Sequence, residues 1–146
     1  MLKFDLRVMS VIEQIAPVVT HRLRKKILYP NLSSAPIILD EDEKGIHFGL
    51  YDDNKLIAIA SLFLEGCHAQ FRKFATDTDF QHQGYGSQLL RYIIDFARQE
   101  GVHTLWCNAR ITAIPFYQKH HFSMVGSPFK RGSIEYIKME KEIQHH

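Results

Sequence analysis

Cysteine is scarce: the 146 residues hold only Cys67 and Cys107, 40 positions apart. They make no disulfide framework, and no CxxC pair occurs, which fits a reducing, cytoplasmic location. Long apolar runs are missing. The longest, Leu56 to Leu64, is broken by Ser61 and falls well short of the roughly 20 residues that cross a bilayer. The opening residues, Met1-Leu2-Lys3-Phe4-Asp5, have no signal-peptide anatomy, so no membrane association is expected. Excess charge of one sign is also lacking. Eighteen Lys and Arg against 16 Asp and Glu leave a net +2, too little to argue for a nucleic-acid partner. Nine histidines are present without HxH or HExxH spacing, so no metal is expected. There is no internal repeat, low-complexity tract or linker.

What is there is ordinary globular material. With 45% hydrophobic and 23% charged residues, wholesale disorder is excluded. The length predicts one domain, residues 1–146, able to bury about 68–70% of its unfolded surface. Leu2 to Met9 alternates loosely and reads as a first strand. Val11 to Tyr29 carries helix formers interrupted by Pro17, which predicts a helix from Pro17 to Leu28 with Val19, Leu23 and Ile27 as its buried stripe. Asn31 to Lys44, with its acidic run Asp40-Glu41-Asp42-Glu43, reads as loop. Ile46–Tyr51 and Leu56–Leu64 form a hairpin around Asp52-Asp53-Asn54, and Ala69–Thr76 is the next strand.

Gly84–Glu100 has apolar residues at 89, 90, 93, 94 and 97 and is the best amphipathic helix in the chain. Val102–Asn108 reads as a central strand and Thr112–His120 as a short helix. Phe122–Val125 and Ser133–Met139 close the chain as an antiparallel pair. The order β-α-β-β-β-α-β-α-β-β defines an α/β domain, and the crossover after Thr76 requires a helix lying on the sheet.

The informative segment is Gln81-His82-Gln83-Gly84-Tyr85-Gly86-Ser87, between a strand and the best helix. Two glycines permit a tight turn, and backbone N–H groups at a helix N-terminus suit an anion such as a pyrophosphate. The third glycine position of a dinucleotide fingerprint is Leu89, and the Lys and Ser/Thr of a P-loop are absent. The surviving Gln-x-x-Gly-x-Gly is weak alone, since such a turn often serves only packing.

Further matches surround it. Arg72-Lys73-Phe74-Ala75-Thr76 precedes the loop, and Trp106-Cys107-Asn108-Ala109-Arg110 lies on the next strand. Ala113-Ile114-Pro115-Phe116-Tyr117-Gln118-Lys119 follows, ending at Phe122. In order, spacing and element type these residues resemble the GNAT superfamily of acetyl-CoA-dependent N-acetyltransferases, best over 56–122 and by element order over the whole chain. The resemblance implies a mixed, mostly antiparallel sheet of about six or seven strands with helices on both faces, splayed at the acyl-CoA site. It implies a bulged strand whose Phe74, Ala75 and Thr76 backbone groups run along pantetheine. Backbone N–H groups of Gln81, His82, Gln83, Gly84, Tyr85, Gly86 and Ser87 would hold the pyrophosphate. Asn108 would bond the pantetheine amide region, Phe116 would pack on the cofactor, and Tyr117 would protonate the leaving thiolate. The acceptor would be an amine of a small molecule or peptide, attacking directly in a ternary complex, and homodimerisation would use the late strands.

Each assignment has a plainer counterpart. Tyr117 could be a buried tyrosine with a local partner, Asn108 a turn cap, and Gln81 a polar loop residue. Glu65 and His68 are the base candidates, yet both suit solvated turns; Arg72 suits a strand surface. Arg22, Lys25 and Lys26 read as a solvated helix face and Asp40–Glu43 as a solvated loop. Cys107 alternates into the sheet as core. Two positions depart from the family pattern. His121 stands where a glycine usually stops the short helix, and residues 81–83 lack basic character. Phosphate binding would then rest on the backbone, with modest affinity and shallow salt dependence. The rivals are a non-catalytic acyl-CoA sensor and a nucleic-acid-associated protein using Arg22–Lys26.

Overall fold

The computed structural model describes residues 10–31 and 37–145. The expected strand at Leu2–Met9 lies outside them. The first strand seen is β1, Val11–Ile15, where helix formers were expected. Val11, Ile12 and Ile15 are β-branched, and the segment is drawn onto an existing sheet edge by antiparallel pairing with β2.

The helix expected from Pro17 is present as one run over 17–28, here α1. It begins as a 3₁₀ turn Pro17–Thr20, passes through an α turn His21–Leu23 and ends in a π turn Arg24–Leu28. Pro17 occupies the first helical position, where its missing N–H costs nothing. The changing pitch rotates the buried stripe. Val19 is exposed, while Thr20, Leu23 and Arg24 are buried.

β2, Ile46–Asp52, and β3, Lys55–Glu65, form the expected hairpin; Asp53 and Asn54 take positive φ (51° and 61°), as a tight hairpin turn requires. β4 is His68–Thr76, α2 is Tyr85–Gln99, β5 is Thr104–Arg110 and α3 is Ile114–Lys119. β6, Ser123–Arg131, and β7, Ile134–Glu142, run longer than expected. Gly126 and Pro128 interrupt the alternation of β6, and its register shifts between Val125 and Phe129.

The seven strands lie in the order β1-β2-β3-β4-β5-β7-β6. β4 and β5 pair in parallel, as the α2 crossover demands; β1–β2, β2–β3, β5–β7 and β6–β7 are antiparallel. The fold is the mixed α/β sheet with helices that the sequence predicts.

Two compact units divide the chain: Met1–Phe63 with Lys73–Ile93, and Leu64–Arg72 with Ile94–His146. In the first, Leu23 of α1 packs on Ile59 and Ala75, whereas Phe48 meets the ring of Tyr92 of α2 at 5.6 Å. Ile59 pairs with Gly49 and Phe48 with Ala60, so these contacts lie on opposite sheet faces and helices cover both.

Two solvated segments of the sequence reading are joined in the interior instead. Arg24 is fully buried, and its guanidinium grips Asp42 in a two-pronged ion pair at 2.9 and 3.0 Å. It also donates to Ser61 Oγ (3.0 Å) and the Ile37 carbonyl (2.6 Å). His47 Nε2 lies 2.7 Å from the Asp42 carbonyl, and Nδ1 lies 2.7 Å from Ser61 Oγ. A carbonyl only accepts, so Nε2 carries the proton and Nδ1 accepts from the Ser61 hydroxyl. By contrast Arg22, Lys25 and Lys26 do sit toward solvent or half-buried, bonding the Leu56 carbonyl, the Tyr29 carbonyl and Asp77 respectively.

Candidate active site

In the first unit, β4 delivers the chain to the glycine loop through a braced turn. Asp77 is buried, its amide donates to the Ile57 carbonyl (2.7 Å), and its Oδ1 accepts from the Asp79 amide (3.2 Å) and from Lys26 Nζ (3.0 Å). Burial pushes its carboxyl pKa up, but the Lys26 and Asp79 bonds outweigh it and hold the pKa below the ordinary value. The Gln81 side chain donates to the Thr76 carbonyl (3.0 Å) and that of Gln83 to the Asp79 carbonyl (3.3 Å). Tyr85 is buried, donating its hydroxyl to Asp52 (2.6 Å) and standing edge-on to Phe80.

The loop's polar side chains are therefore spent on its own shape. His82 and Gly84 take left-handed backbones, φ 63° and 90°, and the chain then enters α2. Tyr85, Gly86 and Ser87 form the first turn of that helix, where backbone N–H groups and the helix dipole favour an anion.

Upstream, Lys73 holds φ 56° in the middle of β4. A left-handed residue inside a strand marks a bulge and stores local strain, a combination that clusters at functional sites. Lys73 Nζ donates to the Tyr29 hydroxyl, with the ammonium 4.7 Å from the centre of that ring. Phe74 and Thr76 are half-buried beyond it, and Ala75 is buried against Leu23 and Ile59.

In the second unit, β4 pairs with β5 only over His68↔Thr104, Ala69↔Leu105 and Gln70↔Trp106, although β5 continues to Arg110. Asn108, half-buried, lies on this continuation. Tyr117 of α3 is buried among the rings of Phe71, Phe116 and Phe122, with centroids 5.8, 5.1 and 5.7 Å away. Its hydroxyl is hydrogen-bonded to the Cys107 thiol. Burial, and secondarily Cys107, raises the Tyr117 pKa well above its ordinary value, so the hydroxyl keeps its proton. Burial pushes the Cys107 thiol up to about 12 despite that bond, which leaves it an inert core residue. His121 takes φ 67°, the left-handed stop that glycine usually supplies. The Phe122 amide closes the turn onto the Tyr117 carbonyl at 3.0 Å.

Glu65 and His68 flank the Gly66–Cys67 turn and are exposed. His68 pairs with Thr104, and Asn108 lies four residues further along β5, about 13 Å at strand rise. The structure thus brings Asn108, Phe116 and Tyr117 to one end of the unit and leaves Glu65 at the other. Lys73 and the Cys107–Tyr117 bond were missed from sequence. A lysine carries no mark of positive φ, and a buried cysteine looks like any small apolar residue.

Residues 15–122 match the acetyltransferase (GNAT) family, and the chain belongs to it. It is 32% identical over 119 residues to the uncharacterised N-acetyltransferase YitI of Bacillus subtilis (strain 168), covering 75% of this chain and 80% of that protein. It is 32% identical over 87 residues to the ribosomal protein bS18 alanine N-acetyltransferase of Escherichia coli (strain K12), across 58% of this chain and 59% of that enzyme. The crystal structure of the E. coli S18-alanine enzyme superposes with a TM-score of 0.79 at 24% identity, covering 94% and 96% of the two chains. A GNAT acetyltransferase from Elizabethkingia anophelis with acetyl-CoA bound superposes with a TM-score of 0.76 at 18% identity, covering 92% and 98%. The chain is thus an acyltransferase of the GNAT type, a class that uses acetyl-CoA. Among the described residues no group of three His, Cys, Asp or Glu could hold a metal ion, and no helix is long and apolar enough to cross a membrane.

Proposed function

We propose that the whole chain acts as one cytoplasmic acetyltransferase domain, moving the acetyl group of acetyl-CoA to an amine of a small molecule or peptide in a ternary complex. The observation that carries this is the left-handed pair His82 and Gly84, which opens α2 directly after a bulged strand. Backbone N–H groups of Gln81 to Ser87 take the pyrophosphate, backbone groups of Phe74, Ala75 and Thr76 follow pantetheine, and Asn108 and Phe116 contact its far end. The amine nitrogen attacks the thioester carbonyl and the carbon–sulfur bond breaks. Tyr117 turns its O–H from Cys107 to the departing sulfur and protonates it. The amine proton passes to water, since Glu65 stands apart from Asn108 and Tyr117, and a proton returns from water to the Tyr117 oxygen, restoring its O–H. No covalent enzyme is needed, because the buried Cys107 is held as a thiol.

Calorimetric titration with acetyl-CoA tests the cofactor. Gly86 lies in helical backbone and needs no positive φ, so Gly86→Glu places a carboxylate at the phosphate turn without a left-handed backbone to lose. Wild type binds and Gly86→Glu, equally stable, does not. Absence of wild-type binding overturns the proposal. Thiol release with an amine panel tests catalysis: Tyr117→Phe lowers kcat about 100-fold or more while acetyl-CoA affinity changes less than about twofold. Tight acetyl-CoA binding without thiol release from any amine would identify a sensor instead.

A further inference from the structure

β5, β7 and β6 present two different faces. Leu105, Cys107 and Ala109 of β5, with Ile137 and Met139 of β7, are buried on one. The alternate residues lie on the other. There Trp106 stands opposite Glu140, Asn108 opposite Lys138 and Arg110 opposite Tyr136. Further out, Val125 stands opposite Lys138, Phe129 opposite Tyr136 and Arg131 opposite Ile134. This second face carries three cations, Arg110, Lys138 and Arg131, against two carboxylates, Glu140 and Glu142, the latter at the far end and bonded to the Thr104 hydroxyl.

Its aromatic residues hold two of these cations, Lys138 and Arg131, in place without neutralising them. Lys138 Nζ lies 4.7 Å from the Trp106 ring centre, and the Arg131 guanidinium lies 5.6 Å from that of Phe129. Phe129 is itself stacked on Tyr136 at 5.8 Å and 22°. Among the described residues neither Lys138 nor Arg131 enters an ion pair. A half-buried ammonium seated on a ring and engaged in no ion pair is a ready partner for an incoming anion.

The position of Lys138 gives this face its role. Directly opposite residues on paired strands have Cβ atoms about 5 Å apart, so Lys138 is the immediate neighbour of Asn108, at the reacting end of the proposed cofactor site. We infer that this face selects the acceptor, and that the acceptor is an amine carrying a carboxylate near its reactive nitrogen: an ω-amino acid or a short acidic peptide. The inference rests on the acetyltransferase reading and deepens it. The same cations disfavour the protonated ammonium of the acceptor, which promotes the free amine. A lysine- or arginine-rich peptide would be repelled.

The test compares matched acceptors that differ only in the carboxylate: ω-amino acids against their carboxamides, and dipeptide amides with Glu against Gln in the second position. With wild type, kcat/KM from thiol release is at least tenfold higher for the acid of each pair. In Lys138→Met the ratio falls to about threefold or less, with acetyl-CoA affinity unchanged. A wild-type ratio near one, or a ratio that survives both Lys138→Met and Arg131→Met, overturns the inference while leaving the transferase activity standing. If no acceptor releases thiol, the same pairs are titrated calorimetrically against the CoA-saturated protein. Acid-selective binding lost in Lys138→Met then supports the face and overturns the transfer reaction. Equal binding, or none, overturns the face.

Discussion

Arg24 binds a helix, a loop and a strand together through one guanidinium. Arginine carries no sequence mark of burial, and its flanking residues do read as a solvated face. What puts it inside is the two-pronged match to Asp42, helped by Ser61 and the Ile37 carbonyl. Removing one partner leaves a charge buried and uncompensated, whereas removing both does not. Arg24→Met should therefore cost about 3–5 kcal/mol in denaturant unfolding, and Arg24→Met/Asp42→Leu should recover most of it. The pair also has an acid signature. Burial raises the Asp42 carboxyl pKa, but the Arg24 bonds, the Leu39 amide and the charge of Arg24 together bring it below its ordinary value of 3.8. A depressed carboxyl contributes stability above its unfolded pKa and loses it as pH falls through the folded one. Wild type should lose this contribution below about pH 3.8, and the double variant should lose less over the same window.

The elements that periodicity governs were legible. Leu89, Leu90, Ile93, Ile94 and Ala97 of α2 are all buried, and the β2–β3 hairpin turns at its Asp-Asn pair. Elements governed by tertiary pairing were not. β1 owes its strand to β2, and β6 extends past Gly126 and Pro128 because β7 supplies the ladder. At the end of α3, His121 holds the left-handed backbone that the sequence departure predicted. Its side chain is exposed, so little packing offsets the conformational cost. His121→Gly should stabilise the protein by about 1 kcal/mol, read as a raised unfolding midpoint with an unchanged denaturant slope. No such gain means that His121 contributes more than a turn.

At the scale of the molecule, a net charge of +2 and an anion turn without Lys or Arg from 81 to 87 set the electrostatics of the proposed cofactor step. Backbone dipoles attract phosphate at short range and are screened less by salt than lysine side chains are. Acetyl-CoA affinity should weaken less than about threefold between 50 and 300 mM salt; a steeper loss would assign the phosphates to basic side chains elsewhere. The family, the sheet and the glycine turn were visible in the sequence because each depends on local spacing. The bulged strand was expected from the family resemblance, but the place of the bulge at Lys73, the Arg24 network and the cationic face were not legible, because they arise where distant segments meet.

An open sheet of seven strands ends in two edges, and one of them is β6. Its pairing with β7 is interrupted between Val125 and Phe129, Pro128 offers no amide, and Lys130 and Arg131 put charge beside the rim. Such an edge resists the addition of a further strand, and with it aggregation by sheet extension. Two copies joined through their late strands would therefore have to meet face to face rather than continue one sheet into the next.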